Sequence, residues 1–197
     1  RDVAVTGVQT CALPISQILF SLFGEVVFQR GAAGIGILWA SAGVGLVAGA
    51  IIAHRIGPRL SHSAFKLTIS IAYVIHGGSY VLFALAPTYF WALFWIGLSR
   101  VAMGVSNVLN TGQLLRYVSN DYRGRVFATV ESWSWTMMIL SMAIAGVASE
   151  TISPRTIGAW AGAFSSTTAA WWAWANWTGR LPKPGTERRE PGTVEVL

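Results

Sequence analysis

The sequence predicts an all-α integral membrane protein, because its composition is apolar and long apolar segments recur along it. Of its 197 residues, 53% are hydrophobic and 11% are charged, against about 25% charged residues in ordinary soluble domains. A bilayer core about 30 Å thick requires roughly 20 mostly apolar residues per helix. Segments of this kind lie at about residues 35–53, 67–86, 89–108, 126–148 and 157–177.

A shorter apolar stretch, residues 17–28 with the sequence QILFSLFGEVVF, precedes these segments. It abuts residues 1–16, in which VTGVQTCALPI matches the translation of a common DNA-sequencing adapter. We interpret residues 1–16 as a non-native segment and exclude it from the fold, as is done for a tag. Residues 17–28 are then expected to be the end of a helix whose beginning is missing. No thiol chemistry is expected, because the single cysteine, Cys11, lies in that segment.

Lysine and arginine concentrate in alternate connections between the apolar segments. One set of connections contains only Arg30 and Arg155. The other set carries Arg55, Arg59, Lys66, Arg116, Arg123, Arg125, Arg180, Lys183, Arg188 and Arg189. The positive-inside rule places this second set in the cytoplasm, which predicts a multi-pass protein of the cell (inner) membrane with a cytoplasmic C-terminus. The net charge of +6 then reflects topology, and no nucleic-acid partner is expected.

Two of the predicted cytoplasmic loops resemble those of a transporter family. The first, residues 50–59, reads AIIAHRIGPR and is similar to the loop signature of the major facilitator superfamily, with matches at Arg55, Gly57 and Arg59. It departs from that signature at Ala50, His54 and Pro58. The second, residues 107–130, resembles the helix 10 to helix 11 junction of the drug- and siderophore-exporter branch. Its matching residues are Asn107, Asn110, Asp121, Arg123, Gly124, Arg125 and Val126.

This resemblance implies the C-terminal six-helix half of a major facilitator fold. Residues 17–28 would be the end of helix 7, and residues 29–180 would contain helices 8–12. The composition of residues 181–197, with three prolines and mixed charge, separately predicts a disordered cytoplasmic tail. The resemblance further implies a proton-coupled exporter of small molecules that works by alternating access. Its partners would be a small-molecule substrate, protons, the lipid bilayer and the missing N-terminal six-helix half, with no cofactor.

The first candidate for a functional site is Arg100. It lies eleven residues beyond Tyr89, about 16 Å along a helix, which is close to mid-membrane. An ionisable group at that depth is a functional candidate by default. Its helix face also carries, at three- and four-residue intervals, Gly97, Gly104, Asn107 and Thr111.

The resemblance places this helix beside the central cavity, so Arg100, Asn107 and Thr111 are predicted to line it. Arg100 would there bind an anionic substrate, pair with a carboxylate of the missing half, or influence a proton carrier. The alternative is a structural ion pair that locks two helices together.

Glu131 is the second candidate, about 9 Å from the predicted cytoplasmic start of its helix. A partly desolvated carboxyl group at this position is suited to proton exchange. The alternative is a salt bridge with Arg116, Arg123 or Arg125. On another predicted helix, His76 shares a face with Tyr73 and Tyr80 and is expected to be a hydrogen-bonded packing residue.

Two pairs of glycines are spaced four residues apart, Gly45 with Gly49 and Gly158 with Gly162. Small residues one turn apart let helix backbones approach closely in lipid. These four residues are therefore predicted to be helix-packing positions, with a hinge role in helix rocking as the alternative.

An intramembrane enzyme is not expected. The sequence contains no H-E-x-x-H and no G-x-S-x-G motif, and its three histidines have no carboxylate at ligand spacing. A metal site is not expected for the same reason. The remaining alternatives to an exporter are a non-transporting receptor or scaffold, and a natural half-transporter that dimerises.

Overall fold

The computed structural model describes residues 18–178, apart from the side chains of residues 116–117, 168–169, 172–173 and 175–177. This part of the chain is helical and contains no β-strand, which confirms the predicted all-α class. Its helices are α1 (Ile18–Val27), α2 (Gly31–Ile56), α3 (His62–Ala84), α4 (Tyr89–Tyr117), α5 (Asn120–Ser149) and α6 (Pro154–Trp177). The non-native segment and the tail predicted from the sequence lie outside the described residues.

Four of these helices are long and apolar enough to cross a membrane. Their candidate spans are Gly31–Arg59, His62–Ala84, Tyr89–Leu115 and Asn120–Ser149. These four helices agree with the predicted multi-pass membrane character. The shorter helix α1 contains the apolar stretch that the sequence places before the first full segment. The span predicted for residues 157–177 lies within α6 and stays a prediction.

The connections contain the residues that end and begin helices. Helix α2 ends in a 3-10 turn, Gly57–Arg59, where Pro58 cannot continue the backbone hydrogen bonds of the helix. The side chain of Ser61 then accepts a hydrogen bond from the backbone N–H of Ala64 at 3.3 Å and caps α3. Helix α6 begins with Pro154, whose fixed φ suits the first helical position.

Four helices form a continuous row in the order α2, α4, α3 and α6. Helix α1 packs beside α2, and its Phe23 ring stacks on Phe83 of α3 with centroids 4.7 Å apart. Helix α5 differs from the others, because it has only slight contacts with α6 and most of its surface is uncovered. The row formed by α2, α4 and α3 therefore positions the polar side chains described below.

Helices α2 and α4 cross through glycines on both sides. A Cβ atom added to Gly45 would overlap the carbonyl oxygen of Gly97, and one added to Gly49 would overlap that of Val101. On the facing helix, a Cβ on Gly104 would lie 3.1 Å from the backbone nitrogen of Ala50. The missing side chains thus allow direct backbone contact, which is a strong form of packing in lipid.

A second crossing of this kind joins α3 to α6. A Cβ on Gly162 would lie 2.8 Å from the backbone nitrogen of Val81, and one on Gly158 would lie 2.9 Å from the Cβ of Ala84. Gly77 of α3 is equally restricted, because its added Cβ would lie 2.9 Å from the backbone nitrogen of Ser166. All four glycines named from the sequence therefore lie at helix crossings.

Gly45→Ala is expected to destabilise the chain by about 1–3 kcal/mol, because the new methyl group forces two backbones apart. Gly43→Ala is the matched control, since a Cβ at Gly43 meets nothing within 4 Å. Alanine favours helix by up to about 1 kcal/mol over glycine, so the control is expected to be neutral or stabilising. The free energy of unfolding, measured by SDS titration in micelles, checks the difference. Equal effects of the two substitutions would contradict the close crossing.

Candidate functional site

The charged centre of the described structure is Arg100, in the middle of α4. Its side chain is 6% exposed. The close crossing of α2 contributes to this burial, because a Cβ built on Gly45 would lie only 3.1 Å from the Cβ of Arg100. From α1, the ring of Phe20 lies 5.6 Å from the guanidinium carbon. Three helices thus enclose a group that prefers water.

The contacts of the Arg100 guanidinium are weak. Its Nη1 donates to the sulfur of Met103 at 3.1 Å, and a thioether is a poor acceptor. The Phe20 ring adds a cation–π contact. Its Nε is buried and has no hydrogen-bond partner within the described residues. Because a guanidinium has five N–H donors, most of its hydrogen-bonding capacity is unused in this arrangement.

No carboxylate compensates the charge of Arg100 inside the bundle. The sequence contains no aspartate or glutamate between Glu25 and Asp121, so α2, α3 and α4 carry none. Among residues 18–178, Arg100 forms no ion pair. The structural ion pair, which the sequence left open as an alternative, is therefore absent from this part of the chain. A buried cation without a counter-charge is costly and is suited to an anionic ligand from elsewhere.

His76 and Ser99 form a buried hydrogen-bonded bridge between α3 and α4. The Ser99 hydroxyl donates to the carbonyl oxygen of His76 at 3.0 Å. The Nδ1 of His76 lies 2.8 Å from the Ser99 hydroxyl oxygen and 3.1 Å from its carbonyl oxygen. All of these contacts are satisfied when Nδ1 carries the proton. His76 is thus hydrogen-bonded within the packed interface, as expected for a packing residue.

This bridge adjoins Arg100 and adds polar groups to its surroundings. His76 and Tyr80 are both close enough to Arg100 to interact with it electrostatically. The rings of His76 and Tyr80 lie 6.3 Å apart on successive turns of α3. We define the Arg100 cluster as His76, Tyr80, Ser99, Arg100 and Met103. The sequence showed that His76 and Tyr80 share a face, but it gave no signal that this face meets Arg100.

Asn107 and Thr111, the other predicted cavity residues of α4, do not belong to this cluster. Both side chains are exposed, and they lie about 10 and 16 Å along the helix from Arg100. The amide of Asn110 instead makes the interhelical contact, donating to the hydroxyl oxygen of Tyr73 at 2.9 Å. The three residues predicted to line one cavity are therefore not brought together by the described helices.

Glu131 lies exposed on α5, most of whose surface is uncovered. Its carboxylate accepts a hydrogen bond from Nε1 of Trp135 at 2.9 Å. The salt bridge considered from the sequence is not formed with Arg123 or Arg125. The side chain of the third candidate, Arg116, lies outside the described residues.

The arginines of the second loop motif have other contacts. Arg123 donates to the carbonyl oxygens of Leu115 at 2.8 Å and Val118 at 3.2 Å. These are free carbonyls at the end of α4, which a cation satisfies well. Arg125 lies over the ring of Tyr122 at 6.0 Å. Asp121 and Gly124 are exposed in the first turns of α5.

The first loop motif occupies the end of α2. Arg55 is exposed in the last helical turn, and Gly57 and Arg59 bound the 3-10 turn that follows. Cations in a last turn interact favourably with the negative end of the helix dipole. In residues 18–178, no group of three or more His, Cys, Asp or Glu side chains is arranged to hold a metal ion.

Comparison of this chain with protein-family models, with curated proteins and with solved structures gave no match. Its function is therefore inferred from its own residues and their geometry.

Ser99→Ala is expected to destabilise the chain by about 1–3 kcal/mol, because it leaves a buried carbonyl and a buried imidazole less satisfied. Ser132→Ala on the exposed surface of α5 is the matched control and is expected to change stability little. The free energy of unfolding from SDS titration distinguishes the two. An effect of Ser99→Ala no larger than that of the control would show that the bridge does not hold α3 to α4.

Proposed function

We propose that this chain is part of a secondary active transporter in which Arg100 provides a positive charge for an anionic group at mid-membrane. The observation that carries the proposal is the burial of Arg100 without a carboxylate partner. Proteins retain uncompensated charge at this depth chiefly where a substrate, an ion or a second element supplies the counter-charge.

The loop motifs supply the finer assignment. Arg55 ends α2 and Gly57 and Arg59 follow it, while Asp121, Arg123 and Arg125 lie in the first turns of α5. These positions at helix ends are compatible with the major facilitator signature and the exporter junction. On this proposal α1 is the end of helix 7 and α2–α6 are helices 8–12. The chain would be the C-terminal half of a proton-coupled exporter of small molecules.

The packing of the described helices is compatible with alternating access. Transporters of this type work by rocking one largely rigid bundle against another around a central site. Helix α2 crosses α4 at Gly45 and Gly49, and helix α6 crosses α3 at Gly158 and Gly162. These two close crossings would keep the row α2–α4–α3–α6 rigid during such a motion. This favours a packing role for the glycines over a hinge.

Helix α5 supports the proposal that a further bundle completes the molecule. It meets the length and hydropathy of a membrane span, yet its exposed surface carries Thr129, Glu131, Ser132 and Thr136. Polar groups at membrane depth are costly when they face lipid and normally face protein or a water-filled cavity. The missing N-terminal half would cover this surface, and Glu131 would then be available for proton exchange.

Two other functions remain compatible with the same helices. A receptor or scaffold would use the bundle without transport, and a half-transporter would cover α5 with a second copy of the chain. An uncompensated Arg100 favours transport over a scaffold, since a scaffold gains nothing from this costly burial.

Arg100→Met is expected to stabilise this chain by about 1–3 kcal/mol, because it removes a buried charge while keeping an unbranched apolar side chain. Arg59→Met is the matched control, since Arg59 is exposed. SDS titration of both variants measures the change. In the protein completed by its N-terminal half, Arg100→Met is expected to abolish substrate efflux and to leave membrane insertion intact. Destabilisation of the chain together with unchanged efflux would make Arg100 structural.

Vesicles containing only this chain are expected to show no substrate efflux under a proton gradient, because half of an alternating-access transporter encloses no cavity. Efflux of a panel of fluorescent small molecules measures this, with vesicles that contain the completed protein as the positive control. Efflux by the chain alone, together with a dimer in cross-linking, would favour the half-transporter.

A further inference from the structure

A cavity of about 470 Å³ lies far from the Arg100 cluster, where the end of α2, the turn Gly57–Arg59, the start of α3 and the last turns of α4 meet. Gln113 in its wall is thirteen residues from Arg100, about 20 Å along α4. This cavity is therefore separate from the site on which the proposed function rests.

The wall of the cavity is apolar on one part and polar on another. The apolar part includes Leu60, Phe65 and Leu109, and the polar part includes His54, His62 and Gln113. His62 is a partly exposed residue, but its Nε2 atom is covered by neighbouring atoms and has no hydrogen-bond partner within the described residues. A buried polar atom of this kind normally has a partner, so a ligand with a polar atom at this position would complete the site.

The charge around the cavity favours an anionic ligand. Two arginines adjoin wall residues along the chain: Arg55 follows His54 in the last turn of α2, and Arg59 follows Pro58 in the turn Gly57–Arg59. No aspartate or glutamate occurs from residue 26 to residue 120, so none of the three helices that form the cavity offers a counter-charge. Clustered basic groups of one sign attract an anion.

The position of the cavity indicates that the anion is a lipid headgroup and not a free ion. It lies where the candidate span Gly31–Arg59 ends and the span His62–Ala84 begins. Residues at the ends of membrane spans lie at the level of the lipid headgroups. Basic pockets between membrane helices bind anionic headgroups, and the apolar wall gives the adjoining acyl chain a surface that a free phosphate ion does not need.

We propose that this cavity binds the headgroup of an anionic phospholipid. The phosphate accepts a hydrogen bond from Nε2 of His62 and lies within the field of Arg55 and Arg59. The first methylene groups of the acyl chains lie against Phe65 and Leu109. The site is independent of the proposed transport function.

Native mass spectrometry of the full chain, released from detergent micelles with added lipid, tests the proposal. Phosphatidylglycerol is expected to bind about tenfold more tightly than phosphatidylcholine of the same chain length, because the choline cation of phosphatidylcholine cancels the phosphate charge that the basic residues attract. Equal affinities for the two lipids would overturn the proposal without the use of any variant.

Gly112→Leu places a larger side chain in the wall of the cavity, and the first atom of that side chain, its Cβ, meets nothing within 4 Å. It is expected to abolish the preference for phosphatidylglycerol. Gly43→Leu is the matched control, since Gly43 is equally open and lies outside the cavity, and it is expected to keep the preference. Circular dichroism confirms that both variants are folded. Retention of the preference by Gly112→Leu would show that surface charge alone attracts the lipid and would overturn the proposal.

His62→Leu keeps the size of the side chain and removes the unpartnered nitrogen. It is expected to weaken the binding of both phospholipids about tenfold, because each carries the phosphate that accepts from Nε2, and to leave the preference for phosphatidylglycerol in place. Unchanged binding of both lipids would overturn the role of His62. Glycerol 3-phosphate, the soluble headgroup, is expected not to compete at millimolar concentration. Tight binding of glycerol 3-phosphate that Gly112→Leu abolishes would identify a site for a free phosphate and would overturn the lipid assignment.

Discussion

The close crossing of α2 and α4 determines most of the geometry around Arg100. Because Gly45 and Gly49 have no side chains, their backbone touches the carbonyl groups of α4 directly. This contact leaves no space beside Arg100 for an acidic side chain from α2, and the opposite side of α4 is joined to α3 by the His76 to Ser99 bridge. The same contacts that stabilise the row of helices thus isolate a charge within it. The close crossing of α2 and α4 thus contributes both to the tight packing and to the incomplete solvation of Arg100.

That isolation is unfavourable for the described helices and becomes favourable only with a counter-charge. In lipid, dispersion contacts between closely spaced backbones provide the attraction that the hydrophobic effect provides in water. The two glycine crossings distribute this attraction along the row, so that the bundle tolerates the burial of one guanidinium. A ligand carboxylate, or an acidic side chain from a completing bundle, would then gain the full electrostatic benefit of a site that excludes water.

Local periodicity was sufficient to predict the helices and the glycine faces but not the neighbours of each helix. The 3.6-residue repeat identified Gly45, Gly49 and the depth of Arg100, because these depend only on position along one helix. It did not bring His76 and Tyr80 to Arg100, since that requires the lateral order of α3 and α4. It also grouped Asn107 and Thr111 with Arg100, although they lie about two and three turns further along α4. The partner of Glu131 within the described residues, Trp135, lies one turn along the same helix. A partner for Glu131 from another bundle depends on which surface covers α5.

The absence of acidic residues between Glu25 and Asp121 also has an evolutionary consequence. If an acidic residue of another bundle supplies the compensating charge for Arg100, a substitution of either residue alone leaves the other as an uncompensated buried charge. A charge reversal on one side would be tolerated only after, or together with, a reversal on the other. Selection would then act on the two bundles as a single heritable unit, even though each forms its own packed helices.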